Sequence, residues 1–222
     1  PVMAATEDHV IDAGIALRVH RPSHDDGLPV IVYLHGGGMC MGSNHSFEPV
    51  ARHLAHDSGA VVVAVDYRLA PETPPPAQFD DAWSATRWVV GNAAVLGVDP
   101  ARLAVAGDSA GGTLAAAVAL AARDRGGPAI ACQVLIYPGL DRDLATASML
   151  EFADAPILSG DDVRYLNDLA DAGTGPPHLF TTLGRHRRLF RRWLRFAGSL
   201  MPGGRLPRVD TELVILRVAH NC

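Results

Sequence analysis

The stretch Leu103-Ala104-Val105-Ala106-Gly107-Asp108-Ser109-Ala110-Gly111-Gly112-Thr113-Leu114 decides the fold. Its first four residues are a short apolar run of strand character, and from Ser109 an alanine-rich, proline-free stretch with strong helix propensity continues to about Arg123. Between them Gly107-Asp108-Ser109-Ala110-Gly111 fits G-x-S-x-G, a strand-to-helix turn so tight that larger side chains at the two glycine positions would clash. The strain of such a turn projects the Ser109 hydroxyl above the end of a sheet. The N–H of Ala110, helped by the positive end of the helix dipole, can then hold an oxyanion. Five residues alone would also fit a glycine-rich helix start, and it is the strand before and the helix after that separate the two readings.

Working outward, residues 30–34 form a β-rich run just after Pro29 that ends in His35-Gly36-Gly37-Gly38. Glycines at a strand end let main-chain N–H groups approach a ligand without Cβ interference, so Gly37 and Gly38 are expected oxyanion donors beside Ala110. His35 is expected to fix the loop rather than to act as a base. A glycine-rich loop could equally cradle phosphate, but the Walker lysine is missing and the chain contains no lysine at all. Residues 60–65 read as a second buried strand, residues 15–20 as an edge strand and residues 129–137 as one more strand. Helical spacing appears over residues 47–56 and again in Phe79, Trp83, Thr86, Val89 and Val90, after a proline-rich loop at 71–76. The order β-α-β-α-β-α-β implies an α/β fold: a mostly parallel sheet with helices on both faces, whose ligands bind at the carboxyl ends of the strands. Beyond Pro138 the strand signals stop and helices are expected over 161–169, over 185–200 and from 210 onward. A boundary in the Gly173-Thr174-Gly175-Pro176-Pro177 stretch gives domains 1–175 and 176–222.

Composition narrows the partners. With 222 residues, 48% of them hydrophobic and 19% charged, the chain can bury a substantial core. A net charge of −5, with every basic residue an arginine, supplies no general cationic field for nucleic acid or an anionic membrane. The arginines of 185–195 surround Leu189, Trp193 and Phe196 in the manner of a packing helix. The longest apolar runs fall far short of the ~20 residues of a membrane span. Small molecules are therefore the expected partners, and a homo-oligomer stays open. Three cysteines at unrelated spacings give neither a disulfide framework nor a paired-cysteine metal site, so no metal is expected and the cytoplasm is the default setting. A start on Pro1 and an end on Cys222 inside an apolar run lead to the expectation that both ends are cut.

Three motifs in order now point to a family. His35 to Gly38, Asp66-Tyr67-Arg68-Leu69-Ala70-Pro71-Glu72, and Gly107-Asp108-Ser109-Ala110-Gly111-Gly112 together resemble the hormone-sensitive lipase family of bacterial esterases, over about residues 8–172. The resemblance implies an α/β-hydrolase fold that hydrolyses carboxylic esters of short or medium acyl chains, with no metal or organic cofactor. It implies Ser109 as nucleophile, with Gly37, Gly38 and Ala110 as the oxyanion hole and His35, Gly36, Gly107, Asp108 and Gly111 as supporting motif residues. The 66–72 loop is implied to be scaffold. In this fold the triad acid and base follow on loops after the last two strands, and the sequence shows neither strand. Asp141, Asp143, Asp161, Asp162, His178, His186 and His220 lack the family's neighbouring residues, and each reads as a turn, cap or surface residue. Residues 179–222 resemble the start of a carboxymuconolactone decarboxylase-like, alkylhydroperoxidase-related domain, a helical and oligomeric superfamily. There Glu212 and His220 are the nearest site candidates and Cys222 receives no role. Two alternatives to an active esterase follow: a decarboxylase- or peroxidase-like fusion with a degenerate hydrolase part, and a non-catalytic ligand-binding remnant.

Overall fold

The computed structural model describes residues 1–141, 143–155 and 158–171. Its centre is three strands, β3 (Leu28–Leu34) and β4 (Val61–Asp66), both rich in β-branched residues, and the longer β5 (Val98–Asp108). They pair in parallel, β3 in the middle, with Leu34 opposite both Val65 and Gly107. Strands whose side chains are β-branched on both faces pack well only when both faces are covered, which is the condition of a parallel sheet between helix layers.

The two faces separate by residue parity. Val30, Val32 and Leu34 enter one core with Ala82, Ala85 and Val89 of α2 (Ala77–Gly91) and with Leu114, Ala115 and Val118 of α3 (Ala110–Asp124). Ile31 and Tyr33 enter the other core with Ala51 and Ala55 of α1 (Glu48–Ser58). Each fully buried Val, Leu or Ile contributes about 1.5–3 kcal/mol, so the central strands dominate the stability of this layer. Alanines on the helix faces set how closely the helices approach the sheet.

β6 (Cys132–Ile136) extends the sheet in parallel beyond β5, and β2 (Ile15–Arg21) pairs antiparallel with β4. The edge-strand expectation for residues 15–20 is corrected here. A further strand, β1 (Ala5–Ile11), pairs antiparallel with β2 along its whole length and takes the edge, giving the order β1-β2-β4-β3-β5-β6. Consequently β2 is buried on both sides, Ile15, Leu17 and Val19 in one core and His20 on the opposite face, fully inaccessible. The strand expected at 129–137 is shorter, starting at Cys132, and the strand expected at 103–106 extends back to Val98.

The chain divides into two compact units, 1–142 and 143–222. In the second, Thr146 caps α4 (Ala147–Glu151) by accepting from the Met149 N–H, 3.4 Å. α5 (Gly160–Asp171) opens on a reciprocal pair: Ser159 N–H and Oγ–H donate to Asp162, and the Asp162 N–H donates back to Ser159 Oγ. Side chains thereby satisfy main-chain donors that a helix start leaves without partners. The boundary expected at 173–177 and the helices expected over 185–200 and from 210 lie outside the described residues. Among the described residues no helix is long and apolar enough to cross a membrane.

Candidate active site

The carboxyl ends of β3 and β5 lie side by side, and each runs directly into one of the glycine motifs. At the end of β5, Ser109 adopts φ 51° and ψ −121°, left-handed for a residue with a Cβ, and α3 begins at the next position. A conformation of this kind costs about 1–3 kcal/mol and persists only where its surroundings hold it. Here the Ser109 N–H donates to the Ile136 carbonyl of β6 at 2.8 Å, and the Ser109 carbonyl accepts from the Thr113 N–H at 3.0 Å. The flanking glycines leave the space the turn needs. A Cβ on Gly107 would come within 2.6 Å of the Leu34 carbonyl oxygen and collide with the Gly111 backbone.

At the end of β3, the His35–Gly38 loop is built around a buried histidine. The ring of His35 is 1% exposed and stacks on Phe47 and Tyr67, with centroids 5.3 and 4.3 Å away. Burial pushes its pKa below the ordinary histidine value, with partial opposition from the Gly36 carbonyl beside it. The neutral ring therefore donates from Nδ1 to that carbonyl at 2.7 Å, since a carbonyl can only accept. Tyr67 donates its hydroxyl to the His35 carbonyl at 2.7 Å. His35 thus sits inside the loop, its ring between Phe47 and Tyr67 and its carbonyl held by the Tyr67 hydroxyl. Gly37 has φ +112°, and a Cβ there would fall 2.8 Å from the Met41 carbonyl carbon, so only glycine fits the bend.

Among the described residues the N–H groups of Gly37 and Gly38 have no hydrogen-bond acceptor, and Ser109 Oγ has no partner. Ala110 is the first residue of α3, whose first-turn N–H groups have no acceptor within the helix. The expected nucleophile and the three expected oxyanion donors therefore belong to two loops on neighbouring strands, all with free polar hydrogens. Two tyrosines hold this arrangement, Tyr67 from the 66–72 motif and Tyr33, which escaped the sequence reading. Tyr67 supports the His35 carbonyl, and Tyr33, 2% exposed, donates to Asp108 Oδ1 at 2.7 Å. Tyr33 carried only the signal of a lone hydroxyl inside an apolar strand, two residues ahead of the loop.

The Asp66–Glu72 segment is scaffold by its contacts. Asp66 accepts from the Asn44 N–H at 2.6 Å, and the Ala70 N–H donates to the Met39 carbonyl at 2.8 Å. Arg68 meets Asp81, 1% exposed at its side chain, through Nε, Nη2 and its own main-chain N–H. Of the other titratable candidates, Asp161 pairs with Arg164 and Asp162 caps α5. His178, His186, Glu212 and His220 lie outside the described residues, as does Cys222.

The model of a family described as alpha/beta hydrolase fold matches residues 31–185. Carboxylesterase NlhH of Mycobacterium tuberculosis is 55% identical over 148 residues, which are 66% of this chain and 46% of that protein. Ethyl acetate hydrolase of Pseudomonas putida is 39% identical over 157 residues, 68% of this chain and 49% of that protein. The chain thus spans about half the length of the curated relatives it matches. Among solved structures, the hyperthermophilic esterase of Pyrobaculum calidifontis superimposes with a TM-score of 0.72 at 46% identity, covering 76% of this chain and 56% of that one.

Proposed function

This chain belongs to the alpha/beta hydrolase fold family, and from that premise we propose that it is a carboxylic ester hydrolase of the hormone-sensitive lipase kind, working through a serine acyl-enzyme at Ser109. The observation that carries the reading is the left-handed Ser109 at the start of α3, beside a loop whose Gly37 and Gly38 N–H groups have no acceptor. In this mechanism Ser109 Oγ attacks the ester carbonyl carbon as its proton passes to a base. The oxygen that becomes anionic accepts from the N–H groups of Gly37, Gly38 and Ala110, each worth about 3 kcal/mol at the transition state. The carbon–oxygen bond to the alcohol then breaks, the alcohol departs with a proton, and water releases the acid from Ser109.

Among the described residues no histidine or carboxylate hydrogen-bonds Ser109 Oγ, and the sequence shows neither the triad acid nor the base that turnover needs, so the chain as it stands can be inactive. Similarity to an ethyl acetate hydrolase favours small esters with short acyl chains. A cytoplasmic setting and self-association belong to the same proposal. Hydrolysis of p-nitrophenyl acetate and butyrate by wild type and Ser109→Ala tests it. Turnover lost in the variant supports the mechanism, and equal turnover in both refutes it.

The unpartnered Ser109 Oγ also favours a second reading, a pocket that binds an ester without turning it over. Saturable binding of such an ester with no acid released would identify it. The hydrolase match runs to residue 185, into the segment 176–222 for which the carboxymuconolactone decarboxylase-like reading is proposed, tested by peroxide consumption or lactone decarboxylation.

A further inference from the structure

We infer that Asp108 is a positioning residue: its carboxylate clamps the oxyanion loop to the Ser109 turn, so that one side chain fixes the distance between nucleophile and oxyanion donors. The inference rests on the acyl-enzyme reading above and names a residue through which that site works.

Asp108 is the last residue of β5, immediately before Ser109. Its Oδ1 accepts two hydrogen bonds from the neighbouring strand and loop, from the Tyr33 hydroxyl at 2.7 Å and from the Gly36 N–H at 3.1 Å. Tyr33 lies in β3 opposite Ala106, so the bond joins strand ends already in register. Gly36 is the first glycine of the loop that bears Gly37 and Gly38. The carboxylate fits there only because Gly36 has no side chain, since a Cβ would come within 3.1 Å of Asp108 Cγ and collide with Oδ2.

Asp108 makes no hydrogen bond to Ser109 Oγ, so it does not serve as its base. Burial and the bond to Asp108 both push the Tyr33 phenol far above its ordinary pKa, which keeps it a donor. Hydrogen bonds to a carboxylate are shorter and stronger than neutral ones, which suits a group that must hold a loop against the strain stored at Ser109. A displacement of about 1 Å between reacting groups costs on the order of 100-fold in rate, so a loose clamp is felt in the chemical step rather than in binding.

The test is the rate at which a fluorophosphonate modifies Ser109, followed by intact mass at increasing reagent, with amide hydrogen exchange read over residues 36–39. Asp108→Ala lowers the saturating rate ~10- to 100-fold with little change in the half-saturating concentration, and it speeds exchange in the loop. Asp108→Asn keeps an acceptor at Oδ1 and restores the rate to within about threefold. If Asp108→Ala fails to fold, Tyr33→Phe carries the test, since it deletes one donor and nothing else. A three- to tenfold slower rate with faster loop exchange is then expected, at roughly one hydrogen bond lost. Modification of Asp108→Ala or Tyr33→Phe at the wild-type rate, with loop exchange unchanged, overturns the clamp and leaves the acyl-enzyme reading standing. Failure of wild type to react at all overturns that reading, and the clamp's role falls with it.

Discussion

Gly111→Ala isolates the close packing on which the Ser109 turn depends. Gly111 is the second residue of α3, where alanine is a better helix former than glycine by up to about 1 kcal/mol. Propensity alone would therefore make the substitution stabilising. The structure reverses the sign. A Cβ at Gly111 would lie 2.5 Å from the His35 carbonyl oxygen, 2.6 Å from the Leu34 carbonyl carbon, and closer still to the Leu34 oxygen. All three are main-chain atoms, and Leu34 is fixed between Val65 and Gly107, so no side chain can swing aside. Overpacking against such a wall costs about 3 kcal/mol, the upper end of its usual range, leaving a net loss of about 2 kcal/mol after the helix gain. With a urea m-value of about 2 kcal/mol/M, the unfolding midpoint falls by about 1 M. Gly91→Ala is the matched control. Gly91 is exposed at the end of α2, a Cβ there meets nothing within 4 Å, and the midpoint rises by about 0.2 M as about 0.5 kcal/mol of helix propensity is gained. A Gly111→Ala midpoint at or above wild type would refute the close-packing account of the turn.

The remaining predictions concern strain, protonation and buried partners. Ser109→Gly removes the left-handed strain and raises stability by about 1 kcal/mol over Ser109→Ala, which keeps a Cβ; thermal melts of the two variants check it. His20 and His35 are buried, burial lowers the pKa of each, and the nitrogens of His20 have no hydrogen-bond partner among the described residues. Their folded pKa values lie below the unfolded ~6.5, so the unfolded chain takes up protons first, and stability present above that pH is lost as pH falls below it. Urea midpoints between pH 8 and pH 5 should show this slope, and His20→Leu should flatten it; an unchanged slope would remove His20 from the account. Tyr67→Phe strips the hydroxyl from the His35 carbonyl and costs about 1–3 kcal/mol by urea titration. Arg68→Met leaves Asp81 with only the residue-68 main-chain N–H from the former pairing, and lowers stability by about 2 kcal/mol, less than a fully buried pair because Arg68 is 40% exposed.

The fold was legible wherever burial on both faces forced an unbroken apolar run. β3 and β4 could be read within two residues because Val, Ile and Leu at successive positions admit few alternatives. β1 was not legible. Its sequence Ala-Thr-Glu-Asp-His-Val-Ile buries no residue, so it carries no period of two, and its place depends on main-chain pairing with β2 and on the Asp8–Arg18 pair across the two strands, 2.7 Å. Missing β1 made β2 look like an edge. β5 was cut short because the pairing with β3 breaks register between Val98 and Leu103, where the Ala101 N–H donates to the Asp99 side chain at 2.9 Å and the regular alternation is lost. At the site, G-x-S-x-G announced the turn because its glycines are steric necessities within five consecutive residues. The Tyr33–Asp108 bond spans 75 positions, and it exists only through the register that sets Tyr33 opposite Ala106. No local pattern could have announced it.

That register explains how the two motifs come to be organised together. The contacts that fix them run between β3, β5 and the loops that leave them: Tyr33 to Asp108, Gly36 to Asp108, Tyr67 to the His35 carbonyl, and Gly111 against Leu34. Each lies within residues 1–142, one compact unit whose central strands are buried on both faces. The strain at Ser109 is therefore borne by the same packing that stabilises the sheet, and loosening the turn would expose apolar surface worth more than the strain relieved. Preorganisation of this kind is what oxyanion stabilisation requires, because donors already aimed need no rearrangement as charge develops. In the proposed mechanism the unit thus supplies the nucleophile and its oxyanion donors. A general base, whose removal in serine hydrolases costs several powers of ten in rate, is the part that separates a strained serine from a turning-over one.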